Sequence, residues 1–275
     1  MDHHEVGKYW NENAEAWTEL SRAGYDVYRD HLNTPAFLEM LPSVDGLKGL
    51  DIGCGEGHNT RLLARLGAKM SAVDVSEVFV QYAQECETEE PLGIAFQIGS
   101  AVELPYPDAS FDFAASFMCF MDVPETDKVL SEAFRVLKPD AFLQFSIEHP
   151  CYNPPHRRNL RDENGKTYAL EVGGYFERTD GEVPEWIFGS VPLDERKKYK
   201  PFKTPRFRRT VSEWLNLLIQ TGFVLEEVRE PRADDETVKK CPDLQDTQVA
   251  AYFLHIRARK PATNTASRTT VDRRG

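Results

Sequence analysis

From Gly46 to about residue 148, short apolar runs alternate with segments whose apolar residues return every three or four positions. Runs 47–52, 69–73, 94–98, 113–120 and 142–147 read as strands, being too short for helices and bounded by turn formers. The segments between them, 59–66 closed by Gly67, 77–86, and 126–137 halted by Pro139, read as amphipathic helices. Strands alternating with helices of about ten residues imply βαβ units, a parallel sheet and right-handed crossovers. Ahead of them, Val6, Trp10, Trp17 and Leu20 keep roughly to one face, so residues 1–45 are expected to form a helical cap.

The alternation lapses over 150–206, which is rich in Pro, Gly and aromatic residues and has no clear period. It resumes at Thr210-Val-Ser-Glu213, a capping-box spacing, with a helix expected to end near Gly222 and strands at 223–228 and 249–256. The pattern therefore predicts one α/β domain over 46–260 with 150–206 inserted as a substrate lid before the last helix–strand unit. The polar stretch 261–275 is expected to be a disordered tail.

Composition narrows the function classes. Among 275 residues, 41% are hydrophobic and 11% aromatic, enough for a sizeable core. No apolar run approaches the roughly 20 residues a bilayer span needs, and the charged start carries no apolar leader pattern. The five cysteines are scattered without CxxC spacing, which argues against a disulfide framework or zinc module and makes a reducing cytoplasm the expectation. With 33 Lys+Arg against 45 Asp+Glu, the net charge of −12 argues against a nucleic-acid-coating protein.

The strongest chemical signal is Leu50-Asp-Ile-Gly-Cys-Gly-Glu-Gly57 between a predicted strand and helix. Gly53, Gly55 and Gly57 let the backbone turn tightly and approach a ligand, and the next helix presents free N–H groups. The spacing is GxGxG. A dinucleotide fingerprint would need glycine at position 58, where His58 stands. Asp74 ends the second strand, where a carboxylate can accept both hydroxyls of a ribose.

Together with Gly99-Ser-Ala-Val-Glu-Leu-Pro105, Ser110-Phe-Asp112 and Arg135-Val-Leu-Lys-Pro139, this loop resembles the class I S-adenosylmethionine-dependent methyltransferases, within them the small-molecule "type 11" branch. The resemblance covers 46–150 well and 207–257 more loosely. It implies a Rossmann-like, seven-stranded sheet whose last strand runs antiparallel. It also implies S-adenosylmethionine as cofactor, with S-adenosylhomocysteine as product. The family's roles fall on Gly53, Cys54, Gly55 and Gly57 for the methionyl part, Asp74 for ribose, and Val75, Ser100 and Ala101 for adenine. Trp10 and Phe117 are expected beside the cofactor. Two departures stand out: Gly99-Ser-Ala101 replaces the usual Gly-Asp-Ala, which removes the carboxylate that receives the adenine amino group, and Lys138-Pro-Asp-Ala141 replaces Lys-Pro-Gly-Gly in what is expected to be a surface turn.

An acceptor should bind outside the carboxyl ends of the strands. His149 follows the fifth strand there and titrates near neutrality, so it is the candidate base; the alternative is that it only orders the His149-Pro-Cys-Tyr152 turn. Met118 and Tyr152 are expected to line the acceptor site. Asp122 could add a carboxylate, although a loop acid before Pro124 is more often a helix cap. From Arg196 to Arg209 there are eight basic residues and no acid, a local reversal of sign in which Arg208 or Arg209 could clamp an anionic acceptor. The aromatics Tyr199, Phe202 and Phe207 within it also suit single-stranded nucleic acid, so an RNA methyltransferase is the alternative, alongside a non-catalytic S-adenosylmethionine-binding protein. No metal site is expected, because His149, Cys151 and His156 match no standard zinc spacing.

Overall fold

The computed structural model describes residues 1–262. All but the first two residues of the expected tail lie outside the described residues. Helix α1 (His3–Arg22) starts on a complete capping box, the Asp2 side chain accepting from the Glu5 N–H while the Glu5 side chain accepts from the Asp2 N–H. A π-turn at Arg29–Asn33 leads into α2 (Thr34–Met40). Then follow β1 (Lys48–Ile52), α3 (His58–Arg65), β2 (Lys69–Asp74), α4 (Glu77–Glu89), β3 (Ala95–Ile98), β4 (Phe111–Phe117), α5 (Thr126–Val136) and β5 (Leu137–Glu148).

Residues 150–206, which show no clear period in the sequence, begin with a hairpin of β6 (His156–Arg161) and β7 (Thr167–Gly173). Beyond it come β8 (Asp180–Glu182), β9 (Glu185–Trp186), the short helix α6 (Leu193–Arg196) and β10 (Phe202–Lys203). The hairpin hides from pattern reading because β6 is His-Arg-Arg-Asn-Leu-Arg, with no residue buried and hence no apolar alternation. After β11 (Arg206–Phe207) come α7 (Val211–Thr221), β12 (Val224–Arg229), α8 (Asp235–Lys240) and β13 (Phe253–Arg259).

The seven-stranded sheet has the order β12-β13-β5-β4-β1-β2-β3. Strands β1 to β5 pair in parallel, and β13 runs antiparallel to both β5 and β12. The chain steps outward from β1 to β3 and then resumes at β4 on the other side of β1. That reversal opens the crevice in which open α/β sheets bind ligands. One face of the sheet packs Trp214 and Leu218 of α7 and Val129, Leu130 and Ala133 of α5 against Phe145 and Ile256. The other packs Phe37 of α2 and Leu63 of α3 against Phe113 and Phe142.

Three boundaries differ from the pattern. The run 113–120 leaves the sheet at Phe117 because Met118 takes a left-handed conformation (φ 54°) and residues Phe120–Asp122 form a 3₁₀ turn. The expected turn at Lys138-Pro-Asp lies within β5 as a bulge: Leu137 pairs with Phe111 but Phe142 already pairs with Phe113. A bulge tolerates the N–H-less Pro139, and Asp140 sits at φ 66°, a conformation glycine adopts freely and Asp tolerates. The run 249–256 joins the sheet only at Phe253, residues 249–252 forming an irregular link after the 3₁₀ turn at Pro242–Gln248.

The inserted segment leans on α1. Trp17 contacts the rings of Trp186, Phe188 and Phe202 at centroid distances of 5.5, 5.0 and 4.8 Å. Beside them the Asn13 amide donates to the Lys203 carbonyl and accepts from its N–H, both at 2.9 Å.

Candidate functional site

The glycine loop leaves β1 with Gly53 at φ 78° and Gly55 at φ 54°. A Cβ on Gly53 would stand 2.3 Å from Cys119 Sγ, so glycine is required both by the turn and by the packing beneath it. A Cβ on Gly55 would meet nothing within 4 Å, because that side of the loop opens onto the crevice. Gly57, also left-handed, faces Ala83 and Phe96 and starts α3; it lines neither cavity described below. Underneath, the Thr60 hydroxyl donates to Asp51 Oδ2 at 2.6 Å, while Asp51 Oδ1 is buried without a hydrogen-bond partner. Burial pushes the Asp51 carboxyl up to about 7.

Asp74 stands at the end of β2. Its Oδ2 accepts from the Gly55 N–H and its Oδ1 from the Ser76 N–H, each at 2.8 Å. Each oxygen keeps a further lone pair, so the carboxylate can take a vicinal diol without losing its hold on the loop. Burial raises its pKa, against those backbone donors.

Around Asp74 lies a pocket of about 130 Å³ lined by His3, Val6, Trp10, Val75, Phe79, Gly99, Ser100 and Ala101, with Gly53, Gly55 and Met118 at its inner end. Helix α1 roofs it. The Ser76 hydroxyl and Asn11 Oδ1 are 2.8 Å apart, and Gly7 lets the helix approach Val75, whose Cγ2 would be 2.9 Å from a Cβ there. His3 Nδ1 and Glu125 Oε2, 2.8 Å apart, tie the start of the helix to the chain after β4. Ser100 Oγ accepts from the Val102 N–H at 3.4 Å. The open Gly55 cradle, the diol-ready carboxylate and the flat apolar slot at Val75 fit the adenosyl and methionyl parts of S-adenosylmethionine.

A second cavity of about 730 Å³ shares Trp10, Trp17, Gly53, Gly55, Met118 and Asp122 with the first. Cys54, Phe117 and Tyr152 line this larger space. Phe117 also stacks on Phe37 at 3.9 Å between ring centroids, serving the core as well as the cavity. Along the far wall the rings of Tyr28, Tyr252 and Tyr152 succeed one another at 4.5 and 4.1 Å, and the Arg157 guanidinium lies 3.9 Å from the Tyr152 ring centre.

Besides Gly57, three residues singled out in the sequence sit elsewhere. His149 is 5% exposed and lines neither cavity. Its Nδ1 accepts from the Cys151 N–H at 3.1 Å, which leaves Nε2 to donate to Glu230 Oε1 at 2.9 Å. Burial lowers its pKa despite Glu230. With both ring nitrogens engaged, the imidazole serves the turn. Arg208 pairs with Glu182 at 2.7 Å and donates to the Asn153 carbonyl, and Arg209 donates to the Pro124 carbonyl at 3.1 Å. Both line only a minor pocket of about 30 Å³. Sequence reading passed over His3, Val6, Tyr28, Arg157 and Tyr252. Only Val6 carried a signal, the apolar face of α1; the others reach the site through long-range folding.

Residues 50–145 match the family model described as a methyltransferase domain. A demethylmenaquinone methyltransferase of Tropheryma whipplei is 31% identical over 161 residues, covering 57% of this chain and 66% of that protein. An uncharacterised protein of Haemophilus influenzae is 26% identical over 264 residues, 93% of this chain and 97% of that one. The crystal structure of an S-adenosylmethionine-dependent methyltransferase from Mesorhizobium loti superposes with a TM-score of 0.67 and 27% identity, covering 82% of this chain and 96% of that one.

Proposed function

This chain belongs to the class I S-adenosylmethionine-dependent methyltransferases, and from that premise we propose that it methylates a small molecule enclosed between the sheet and the inserted segment. The observation that carries the reading is the seam between the two cavities. Six residues, Gly53 and Gly55 among them, line both, so a donor with its adenosyl part in the smaller pocket and its methionyl part along the glycine loop would border an acceptor in the larger one. The larger volume lies in the range of small-molecule sites, about 300–1,000 Å³. The relative from Tropheryma whipplei is named a demethylmenaquinone methyltransferase, and that non-polymeric acceptor supports the same class.

The cofactor supplies an electrophilic methyl group, so the chain's task is alignment and exclusion of water, and such positioning can be worth roughly 7–11 kcal/mol. Asp74 and the glycine loop fix the donor from below and α1 covers it. The inserted segment, acting as a lid through Trp186, Phe188 and Arg206, closes the acceptor side. An anionic group on the acceptor would meet Arg157, which makes no ion pair among the described residues, in place of Arg208 or Arg209. The open seam favours catalysis over mere cofactor binding.

The test is methyl transfer from labelled S-adenosylmethionine into pooled small molecules and, separately, RNA. Label in a small-molecule pool is expected, and label confined to RNA would overturn the reading. S-adenosylhomocysteine at a hundredfold excess over Kd should add about 2.7 kcal/mol of stability, whereas nicotinamide dinucleotides should add none.

A further inference from the structure

Among the described residues, Asp122 is the one carboxylate that lines the donor pocket, the acceptor cavity and the minor pocket beside them. It is 7% exposed and ends the 3₁₀ turn after β4. Its backbone N–H bonds to the Cys119 carbonyl, yet its carboxylate accepts no hydrogen bond from any described residue. The residue is largely buried, yet its oxygens are not among the fully enclosed unpartnered atoms, so beside two ligand spaces they stay open to a bound molecule.

We propose that Asp122 faces the transferring methyl group and takes the proton from a neutral O–H or N–H acceptor. This rests on the small-molecule reading above. The acceptor's lone pair forms the bond to the methyl carbon as the methyl–sulfur bond breaks onto sulfur, and the acceptor's proton passes to an Asp122 oxygen, from which water removes it on product release. His149 cannot do this, since its ring lies outside both cavities with each nitrogen engaged.

The surroundings suit the task. Burial pushes the Asp122 carboxyl up to about 8, with Arg206 lowering it and Glu148 raising it. Arg206 reaches in from β11 and pairs with Glu148 of β5 at 3.1 Å, so it does not neutralise Asp122 outright. The other titratable groups around the donor pocket are His3 of α1, Asp74 of β2 and Cys119. A base with a pKa near the working pH is the most effective, and such a group typically contributes roughly 10²–10⁴-fold.

Two measurements test this. Sinefungin carries a primary amine where S-adenosylmethionine carries its transferable methyl, so its ammonium should meet Asp122. By calorimetry at pH 8, sinefungin should bind the wild type more tightly than S-adenosylhomocysteine does. Asp122→Asn should erase about tenfold of that preference while leaving S-adenosylhomocysteine within about twofold. An equal loss of both ligands, or an unchanged preference, overturns the placement. If S-adenosylhomocysteine binds neither protein, the family reading fails instead. Second, with pooled phenols and heteroaromatic N–H compounds, single-turnover methylation should fall about a hundredfold or more in Asp122→Asn, with acidic phenols, ionised beforehand, falling least. Equal losses across acceptor pKa, or no methylated O–H or N–H compound, overturn the base role.

Discussion

Two buried carboxylates border the site with different partners. Asp74 holds two backbone N–H groups and is fixed before any ligand arrives. Replacing it with Ala should remove one or two charge-assisted bonds to ribose, roughly 1.5–3 kcal/mol each. S-adenosylhomocysteine should then bind at least about tenfold more weakly in calorimetry, and an unchanged Kd would place the ribose elsewhere. Asp122 holds nothing, and its cost should appear in stability. Its folded pKa, raised from 3.8 to about 8, means the folded state binds the proton more tightly than the unfolded one. Stability from this group is therefore full below the unfolded pKa and lost as pH rises towards the folded one. Asp122→Asn should be more stable than the wild type by on the order of 2–5 kcal/mol at pH 8, with the gap closing towards pH 4. Thermal melts of both proteins across that range decide it, and a gap independent of pH would mean that Asp122 is not held protonated by the fold. The glycine loop was legible because its chemistry lies in consecutive residues. Asp122 was legible only as one of two readings, a carboxylate at the site or, two residues before Pro124, a helix cap; α5 begins after Glu125 with no side-chain cap.

At the scale of elements, apolar runs revealed every strand of the sheet, while their ends depended on single conformations such as the left-handed Met118. The inserted segment was legible only as a lapse of pattern, since β6 of its hairpin is polar with no buried residue and the segment's buried apolar residues pack on α1. That dependence makes the lid testable. Phe202 is 1% exposed and packs on Trp17, Trp186 and Phe188, but does not itself line the acceptor cavity. Phe202→Ala should remove about 3–5 kcal/mol from the contact between lid and α1. Hydrogen exchange and limited proteolysis should accelerate in residues 175–205 and in the first turns of α1, with the central strands still protected. Equal acceleration in β4 and β5 would mean that the segment is part of the core and not a separable cover.

For the molecule as a whole, the question is whether charge recruits a polymer. The sequence shows eight basic residues between Arg196 and Arg209 in a chain of net charge −12, but not their partners, some three residues away and some far along the chain. Folding engages most of them: Lys197 with Asp194, Lys198 with Glu195, Lys203 with Glu185, Arg206 with Glu148 and Arg208 with Glu182. Arg196 and Arg209 donate to backbone carbonyls. An RNA phosphate would have to break such a pair and leave its acid facing the strand, within a surface already acidic. Each phosphate neutralised on a single strand contributes a slope of about −0.7 in log K against log salt. With the stretch internally compensated, binding to an unstructured RNA should be weak even at low salt, with a slope shallower than about −1.5, the worth of two phosphates. Charge reversal at Glu182 and Glu185 should then strengthen RNA binding by freeing Arg208 and Lys203. Submicromolar affinity of the wild type with a slope of several units would show that these pairs open in solution, and would move the acceptor from the cavity to the surface.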